Sequence, residues 1–331
     1  MAGTIIITGA NGSLAGNTVQ HLLTNTPDNT LVLTVRNTSD EDPNTKKLRA
    51  TIAKFPNAKV SIRQLDLANL TAVHEFADTV AAEAADKKLP SLAAIVCNAY
   101  YWNMVRDPEL SDEGYEKSIH INHISHAALV LRLLGSFGPE GGRVVLFTSD
   151  AHEDGKNGLQ KYPPALPDGL DALLKAVPES DKQGRGFLNY ANSKLAILMW
   201  TYALNRYLEK DEALSKITAI AIDPGSLVDS RALRTNTPPL VQWVQKLVLQ
   251  PFRPVLRFVD PYIRTAADAG VDVAELALNQ ALPGERGYLK LLKRESSSKD
   301  SLDEVKQEKL WAKTLEWAKI TKENTLLESG V

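Results

Sequence analysis

The chain has 331 residues, of which 44% are hydrophobic and 24% charged, and a formal net charge of −2. That balance describes an ordinary globular protein and supplies no basic surface to attract nucleic acid. One cysteine, Cys97, excludes a disulfide framework and a cysteine-based metal site, and it fits a reducing, cytoplasmic compartment.

The opening MAGTIIITGA has no basic n-region of a signal peptide, and no run of about 18 apolar residues marks a spanning helix. TIIIT (4–8) is a short apolar run that ends at a glycine, as a buried strand does. A helical pattern follows through Leu14, Val19, Leu22 and Leu23. TLVLTV (30–35), AKVSIRQL (58–65) and LAAIVCN (92–98) read as further strands, with an alanine-rich helix near 70–88 between the last two. A long helix is expected over 113–137. GRVVLFTS (142–149), KITAIAIDPG (216–225) and GERGYLKL (284–291) complete about seven strands. Buried apolar strands alternating with helices predict one α/β domain over 1–331, with a doubly wound parallel sheet covered on both faces. Two excursions, 150–189 and 238–263, interrupt the alternation, and 293–331 forms a C-terminal extension.

The stretch IIITGANGSLAG raises the first chemical question. Gly9 stands where the strand must turn, Gly12 allows close backbone approach, and the helix that follows aims its N-terminus at the crevice, which favours phosphate. Alanine serves as well as glycine at the third position, so Ala15 is compatible with a dinucleotide loop. An ordinary strand–turn–helix junction would look similar, so the other strand ends matter. The second strand ends in Arg36, where a carboxylate would select NAD; an arginine suits the 2′-phosphate of NADP. Asp66, after the third strand, stands at an adenine edge, and Asn98 and Ala99, after the fourth, stand beside a cofactor.

The second half carries YANSK. Tyr190 and Lys194 share a helical face, where an ammonium can lower a phenol's pKa for proton chemistry. Ser149 ends the fifth strand at the carboxyl edge, where open α/β sheets bind ligands, and Asn122 lies within the long helix. In this order the loop, NA, Asn, Ser and YxxxK resemble the short-chain dehydrogenase/reductase family, to about residue 290. The resemblance implies a Rossmann-like fold and an NADP-linked oxidoreductase. It gives Tyr190 the role of proton donor or acceptor, Lys194 that of lowering its pKa and holding ribose hydroxyls, Ser149 that of polarising a carbonyl, and Asn122 that of supporting a water-linked proton relay. It extends the cofactor set to Asn11, Ser13, Leu14, Leu67, Pro224, Gly225, Leu227 and Ser230, with Tyr190 and Lys194 shared.

LAAIVCNAYYW, DEGYEKSIHINHISHAALVLRLL and the insertion before Tyr190 resemble the branch of retinol dehydrogenases and protochlorophyllide oxidoreductases, which favours NADPH. Two departures stand out. Ser13 and Ala15 occupy the second and third glycines of TGxxxGxG, and PGSLVDS puts Asp229 where PGxVxT has threonine, with Ser230 next to it. An acid there is expected near the cofactor amide and phosphates.

On the substrate side, Tyr100, Tyr101 and Trp102 either wall a nicotinamide pocket or pack a loop. The excursion 150–189, holding His152, Tyr162 and Phe187, reads as a lid. Apolar residues of 238–263 recur at helical spacing among Lys246, Arg253 and Arg257. A substrate lid, a core helix pair and a membrane-surface segment all fit that pattern. Two lids point to a bulky apolar or aromatic carbonyl as the small-molecule partner; a homo-oligomer is left open. His120, His123 and His126 drift around their helix and have no acid or cysteine to complete a metal site. Trp311, Leu315 and Ile320 predict a terminal helix docked on the sheet. Carbonyl reduction by NADPH, or the reverse alcohol oxidation, is the reading these residues favour. Reduction of a carbon–carbon double bond and a non-catalytic dinucleotide sensor or scaffold are the alternatives.

Overall fold

Every residue of β1 (Thr4–Ile7) and β2 (Thr30–Val35) is buried. Such runs need a sheet covered on both faces. The computed structural model, which describes residues 2–331, builds that sheet from eight strands. The others are β3 (Lys59–Gln64), β4 (Leu92–Cys97), β5 (Gly142–Phe147), β6 (Ile217–Asp223), β9 (Gly287–Lys290) and β10 (Lys293–Arg294). A separate short ladder pairs β7 (Ser226–Leu227) with β8 (Ile263–Arg264). The main order is β10-β9-β6-β5-β4-β1-β2-β3, parallel except for β10, which returns antiparallel on β9. Chain direction therefore reverses its winding between β1 and β4, and the crevice outside their carboxyl ends is where such a sheet takes ligands.

Alternation along the strands divides the core in two. Ile6, Val32 and Ile95 pack towards α3 (Leu70–Ala85) and the long central helices. Ile5, Ile7, Leu31, Leu33 and Val96 pack towards α1 (Ser13–Asn25) and α2 (Pro43–Ile52). The helix expected over 113–137 is made of α4 (Lys117–Ile119), a π turn at His120–Ile124 and α5 (Ser125–Leu133). Helix α6 (Lys182–Lys210) starts eight residues before Tyr190, with Asp181 accepting a hydrogen bond from Gly184 N at 3.1 Å. The excursion 150–189 therefore ends sooner than its sequence indicates, and Phe187 belongs to the helix.

After β6 come α7 (Pro239–Val244), a π turn at Gln245–Leu249, α8 (Gln250–Val259), α9 (Ala266–Ala277) and α10 (Glu304–Trp317). Helices α2 and α9 are not among the expected elements; α2 buries only Thr45 and Leu48, whereas α9 buries an alanine-rich apolar face. Their caps hold them: Asp42 accepts from Asn44 N and Thr45 N, and Thr265 with Asp268 forms a capping box. Gly270 lets α9 approach α1 closely; a Cβ there would lie 2.6 Å from Asn17 Cβ and 3.0 Å from Thr18 N. Ala15 is buried on that helix, as the packing role of the loop's third position requires.

The C-terminal helix α10 docks on α6 and not on the sheet, and Ile320 lies buried past its end. The Trp311 ring stacks on Trp200 (centroids 5.7 Å, 14° between planes) and on Tyr207 (4.5 Å, 29°), and its Nε1 donates to Gly330 O at 2.9 Å. Trp311→Ala is expected to cost about 3–5 kcal/mol, the range for emptying a buried aromatic site. Denaturant unfolding measures this, and a loss below about 1 kcal/mol would mean the extension adds little to the core.

Candidate active site

The loop after β1 is held by the end of β4. Asn98 Nδ2 donates to Thr8 O (3.0 Å) and Gly9 O (3.1 Å), and Ala99 N donates to Thr8 Oγ1 at 3.0 Å. Gly9 has φ +60°, and a Cβ on it would lie 3.0 Å from Ala99 Cβ. Only glycine fits both the left-handed backbone and that contact. Gly12 is the N-cap of α1, where no side chain caps the helix and no acid stands in the first turn. The first N–H groups of α1 therefore present partial positive charge to the crevice.

One residue absent from the sequence reading completes this corner. Arg231 N donates to Ser13 Oγ (3.1 Å) and Arg231 Nη2 to Asn11 O (2.5 Å), so a half-buried guanidinium lies on the loop. Asn11 Nδ2 in turn donates to Thr45 Oγ1 on α2 at 3.0 Å. The signal available was a lone arginine beside Ser230, which spacing cannot distinguish from a solvated one. Leu14 is buried in the core below.

Arg36 is exposed just past β2 and pairs with no acid among the described residues, whereas nearby Arg49 is engaged by Asp40 at 2.9 Å. Asp66 accepts from Ala68 N through Oδ1 (2.9 Å), and buried Leu67 accepts from Ser125 Oγ at 2.6 Å. Past Pro224, Gly225 has φ +88°, and Leu227 pairs with Arg264 in the short ladder. Ser230 uses its hydroxyl on Ala232 N (3.1 Å). Asp229 departs from expectation. Its Oδ1 accepts from Ala266 N at 2.7 Å, so the carboxylate is engaged by the first turn of α9.

Lys194, Tyr190 and Ser149 meet where β5 ends beside α6. Lys194 is buried and donates from Nζ to Phe147 O at 2.9 Å; its Nζ lies 5.5 Å from the Tyr190 ring centre and 6.0 Å from that of Tyr100. Burial lowers Lys194 to about 7, against the opposing charge of Asp223. Burial also raises Tyr190, and the hydroxyl of Ser149 beside it only partly offsets this. The lysine was expected to lower the tyrosine; in the protein by itself desolvation wins, and Tyr190 keeps its proton. Ser149 Oγ donates to Asp150 Oδ1 at 2.9 Å.

Asn122 sits in the π turn. Its Nδ2 donates to Tyr101 O and Ser193 Oγ, both at 2.9 Å, and its Oδ1 accepts from Tyr101 N at 2.7 Å. The side chain thus pins the strand-end segment that carries the aromatic wall. Trp102, Phe187 and Tyr100 surround Tyr190 with ring centres 5.3, 5.8 and 6.4 Å away. Tyr101 turns towards Glu109 instead. His152 is buried and donates from Nδ1 to Ser149 O (2.5 Å), and Tyr162 donates to Asp181 at 2.9 Å. A buried acid, Asp223, accepts from Tyr262 Oη with both oxygens (2.8 and 2.9 Å), and burial followed by Asp150 raises it to about 6.

The three histidines face different elements. His126 Nε2 meets Thr8 Oγ1 (3.0 Å), His123 Nε2 meets Thr314 Oγ1 (2.8 Å), and His120 lies 3.6 Å from Glu113. Burial pushes all three down, to about 3 for His123 and His126 and about 4 for His120, so they stay neutral near pH 7. Two clefts of about 440 and 470 Å³ lie elsewhere, one at the amino ends of the strands and one beside Arg132; no residue of this constellation lines them.

A family model described as short chain dehydrogenase matches residues 3–165, and one described as AcuH dehydrogenase domain matches residues 231–327. Short-chain dehydrogenase iccH of Talaromyces variabilis is 26% identical over 99% of this chain and 98% of its own. Polyprenol dehydrogenase of Danio rerio is 30% identical over 76% of this chain and 68% of its own. NADPH-bound carbonyl reductase from chicken fatty liver superposes with a TM-score of 0.58 at 16% identity, covering 90% of this chain and 99% of that one.

Because Asp229 bonds the first turn of α9, Asp229→Ala is expected to destabilise the protein by about 1 kcal/mol, as the loss of a cap does. Dinucleotide affinity should stay within twofold (about 0.4 kcal/mol). Chemical denaturation and fluorescence titration measure the two; a large drop in affinity at unchanged stability would return Asp229 to the ligand site.

Proposed function

Since this chain belongs to the short-chain dehydrogenase/reductase family, we propose that it is an NADPH-dependent reductase of a bulky apolar or aromatic ketone or aldehyde, able to run in reverse as an alcohol dehydrogenase. The observation that carries the reading is the convergence of Tyr190, Lys194 and Ser149 at the carboxyl end of β5, inside a wall of Tyr100, Trp102 and Phe187.

The chain's own residues fit a dinucleotide. Gly9 and Gly12 leave a floor that a Cβ would fill, 3.0 Å from Ala99 Cβ in one case and from Gly9 O in the other. Uncapped α1 and Arg231 supply the positive field that a diphosphate needs. Arg36, exposed and with no acid partner among the described residues, would hold a 2′-phosphate, and Asp66 would meet the adenine. Asn98, Ala99 and Pro224–Leu227 would border the nicotinamide half. When bound, the cofactor supplies the hydride.

Tyr190 is the proton source at the substrate oxygen. Its raised pKa keeps the phenol protonated in the resting protein, and it can give the proton only as the oxygen gains negative charge. Ser149 orients the same oxygen. Lys194, titrating near 7, is poised to become an ammonium when negative charge arrives beside it, which then favours the phenolate. The aromatic wall excludes water and sets the preference for apolar substrates. Similarity to a polyprenol dehydrogenase supports an apolar alcohol or carbonyl, and similarity to an NADPH-bound carbonyl reductase supports the cofactor.

Tyr190→Phe should fold and bind NADPH normally, because the ring still packs, while ketone reduction falls by a factor on the order of 100 or more. Steady-state NADPH oxidation across ketones, aldehydes and enones measures this. Near-normal turnover of a ketone by the variant defeats the mechanism, and turnover confined to enones moves double-bond reduction ahead.

The two arginines separate two parts of the cofactor. Arg36→Ala should weaken NADPH by about 1–3 kcal/mol and leave NADH unchanged, whereas Arg231→Ala should weaken both by similar amounts. Fluorescence titration with each cofactor decides it, and equal losses in Arg36→Ala remove the 2′-phosphate assignment.

A further inference from the structure

Residues Pro239–Val259 form a nearly continuous helical arm through α7, the π turn and α8. Its amphipathicity is inverted. Leu240, Trp243, Leu247, Phe252, Val255 and Phe258 fall on one stripe, and that stripe faces solvent: Leu240 is 74% exposed, Trp243 60% and Phe258 85%. An ordinary surface helix turns its apolar stripe inward.

Buried amides fix this orientation. Gln245 is 1% exposed, and its Nε2 donates to Val228 O (2.8 Å) and Ser230 O (2.9 Å). Gln250 Nε2 donates to Val228 O at 3.0 Å, and Gln242 Nε2 to Thr237 O at 2.8 Å. Rolling the arm to bury its apolar stripe would strand these carbonyls. The stripe is therefore outward by construction, which counts against both a core helix pair and a lid whose apolar side faces the substrate.

Charge says what covers it. From Arg231 to Val259 the sequence has five cations, Arg231, Arg234, Lys246, Arg253 and Arg257, and no acid. Lys246 and Arg257 are exposed beside the stripe. A second copy docked by the same face would bring these cations together with no carboxylate on the arm to pair them. Arg253 pairs with Asp268 at 3.5 Å and Arg231 is held on the loop after β1, which leaves Arg234, Lys246 and Arg257 exposed; aromatic and aliphatic residues beside such cations match an anionic lipid interface. No helix among the described residues is long and apolar enough to cross a membrane, so such contact lies in the plane of the headgroups.

We propose that the outward face of Pro239–Val259 docks this protein on anionic lipid. The arm is tethered to the aromatic wall: Trp102 Nε1 donates to Thr235 O (3.0 Å), and Met104 N donates to Asn236 O (2.9 Å). Docking thus presents the Tyr190 end of the molecule to the bilayer, where apolar compounds partition. The inference does not rest on the reductase reading.

The test is co-sedimentation of the full chain with vesicles of phosphatidylcholine alone and of phosphatidylcholine with an equal amount of phosphatidylserine. The protein should pellet with the anionic vesicles and be released by salt. Lys246→Glu with Arg257→Glu should reduce the bound fraction by roughly tenfold or more. Trp243→Ser, Phe252→Ser and Phe258→Ser together should abolish binding, with circular dichroism confirming the fold; the charge pair, fully on the surface, serves if the triple variant misfolds. Failure of the native chain to bind anionic vesicles overturns the proposal, as does equal binding by the charge variant. A vesicle-free dimer in analytical ultracentrifugation that the triple variant dissociates would assign the face to a second copy and overturn it too.

Discussion

The Thr8 hydroxyl stands where β1 and β4 part, and the site is arranged around it. It receives Ala99 N and meets His126 Nε2, while Asn98 bridges Thr8 and Gly9 carbonyls. Three elements are locked by one small cluster at the point where the sheet's winding reverses. With both faces of the sheet buried, the strand ends are left open, and in such sheets ligands bind outside the carboxyl ends at the point of reversal. The cluster settles the loop geometry there, and so the positions of Gly9, Gly12 and the open end of α1. His126, pushed down by burial, stays neutral and can serve this buried contact without a charge to solvate.

Burial also governs the proton groups. Lys194 and Tyr190 are both shifted towards their neutral forms by the same desolvation. A protein that held a phenolate and an ammonium here at rest would have to stabilise two charges in an apolar wall, at a cost of several kcal/mol per ion. Shifting both towards neutrality reduces that cost. Asp223, itself raised and bonded by Tyr262, supports Lys194 from a distance and does not pair with it directly.

The outward arm and the aromatic wall share one connection. Bonds from Trp102 Nε1 to Thr235 O and from Met104 N to Asn236 O join the base of the arm to the segment that carries the wall. Loop, arm and α9 are linked further through Arg231, Gln245 and Asp229, each of which binds a partner distant in sequence. The segment after β6 is thereby a clasp over the crevice, built from side-chain to main-chain bonds and little apolar packing.

Much of this was legible beforehand. Apolar runs such as TIIIT and TLVLTV announce strands buried on both sides, and the glycine loop, Ser149, Asn122 and YxxxK appear in the order that brings them to one edge. These signals are local or periodic, and a sequence displays them directly. Helix α2 was less visible because its cap defines it more than an apolar stripe does, whereas α9 carries both a buried apolar face and the Thr265–Asp268 capping box. What sequence could not supply was the direction in which groups face. Periodicity marks a stripe at 240–258 but does not say that Gln245 is the side held inward. Residue type puts Asp229 near a cofactor loop, but does not show that its carboxylate is taken up by Ala266 N. Proximity in a helix suggests that Lys194 lowers Tyr190, yet desolvation by distant residues raises it. Side-chain orientation and dielectric environment depend on contacts between segments far apart in the chain, and those exist only once the tertiary structure has formed.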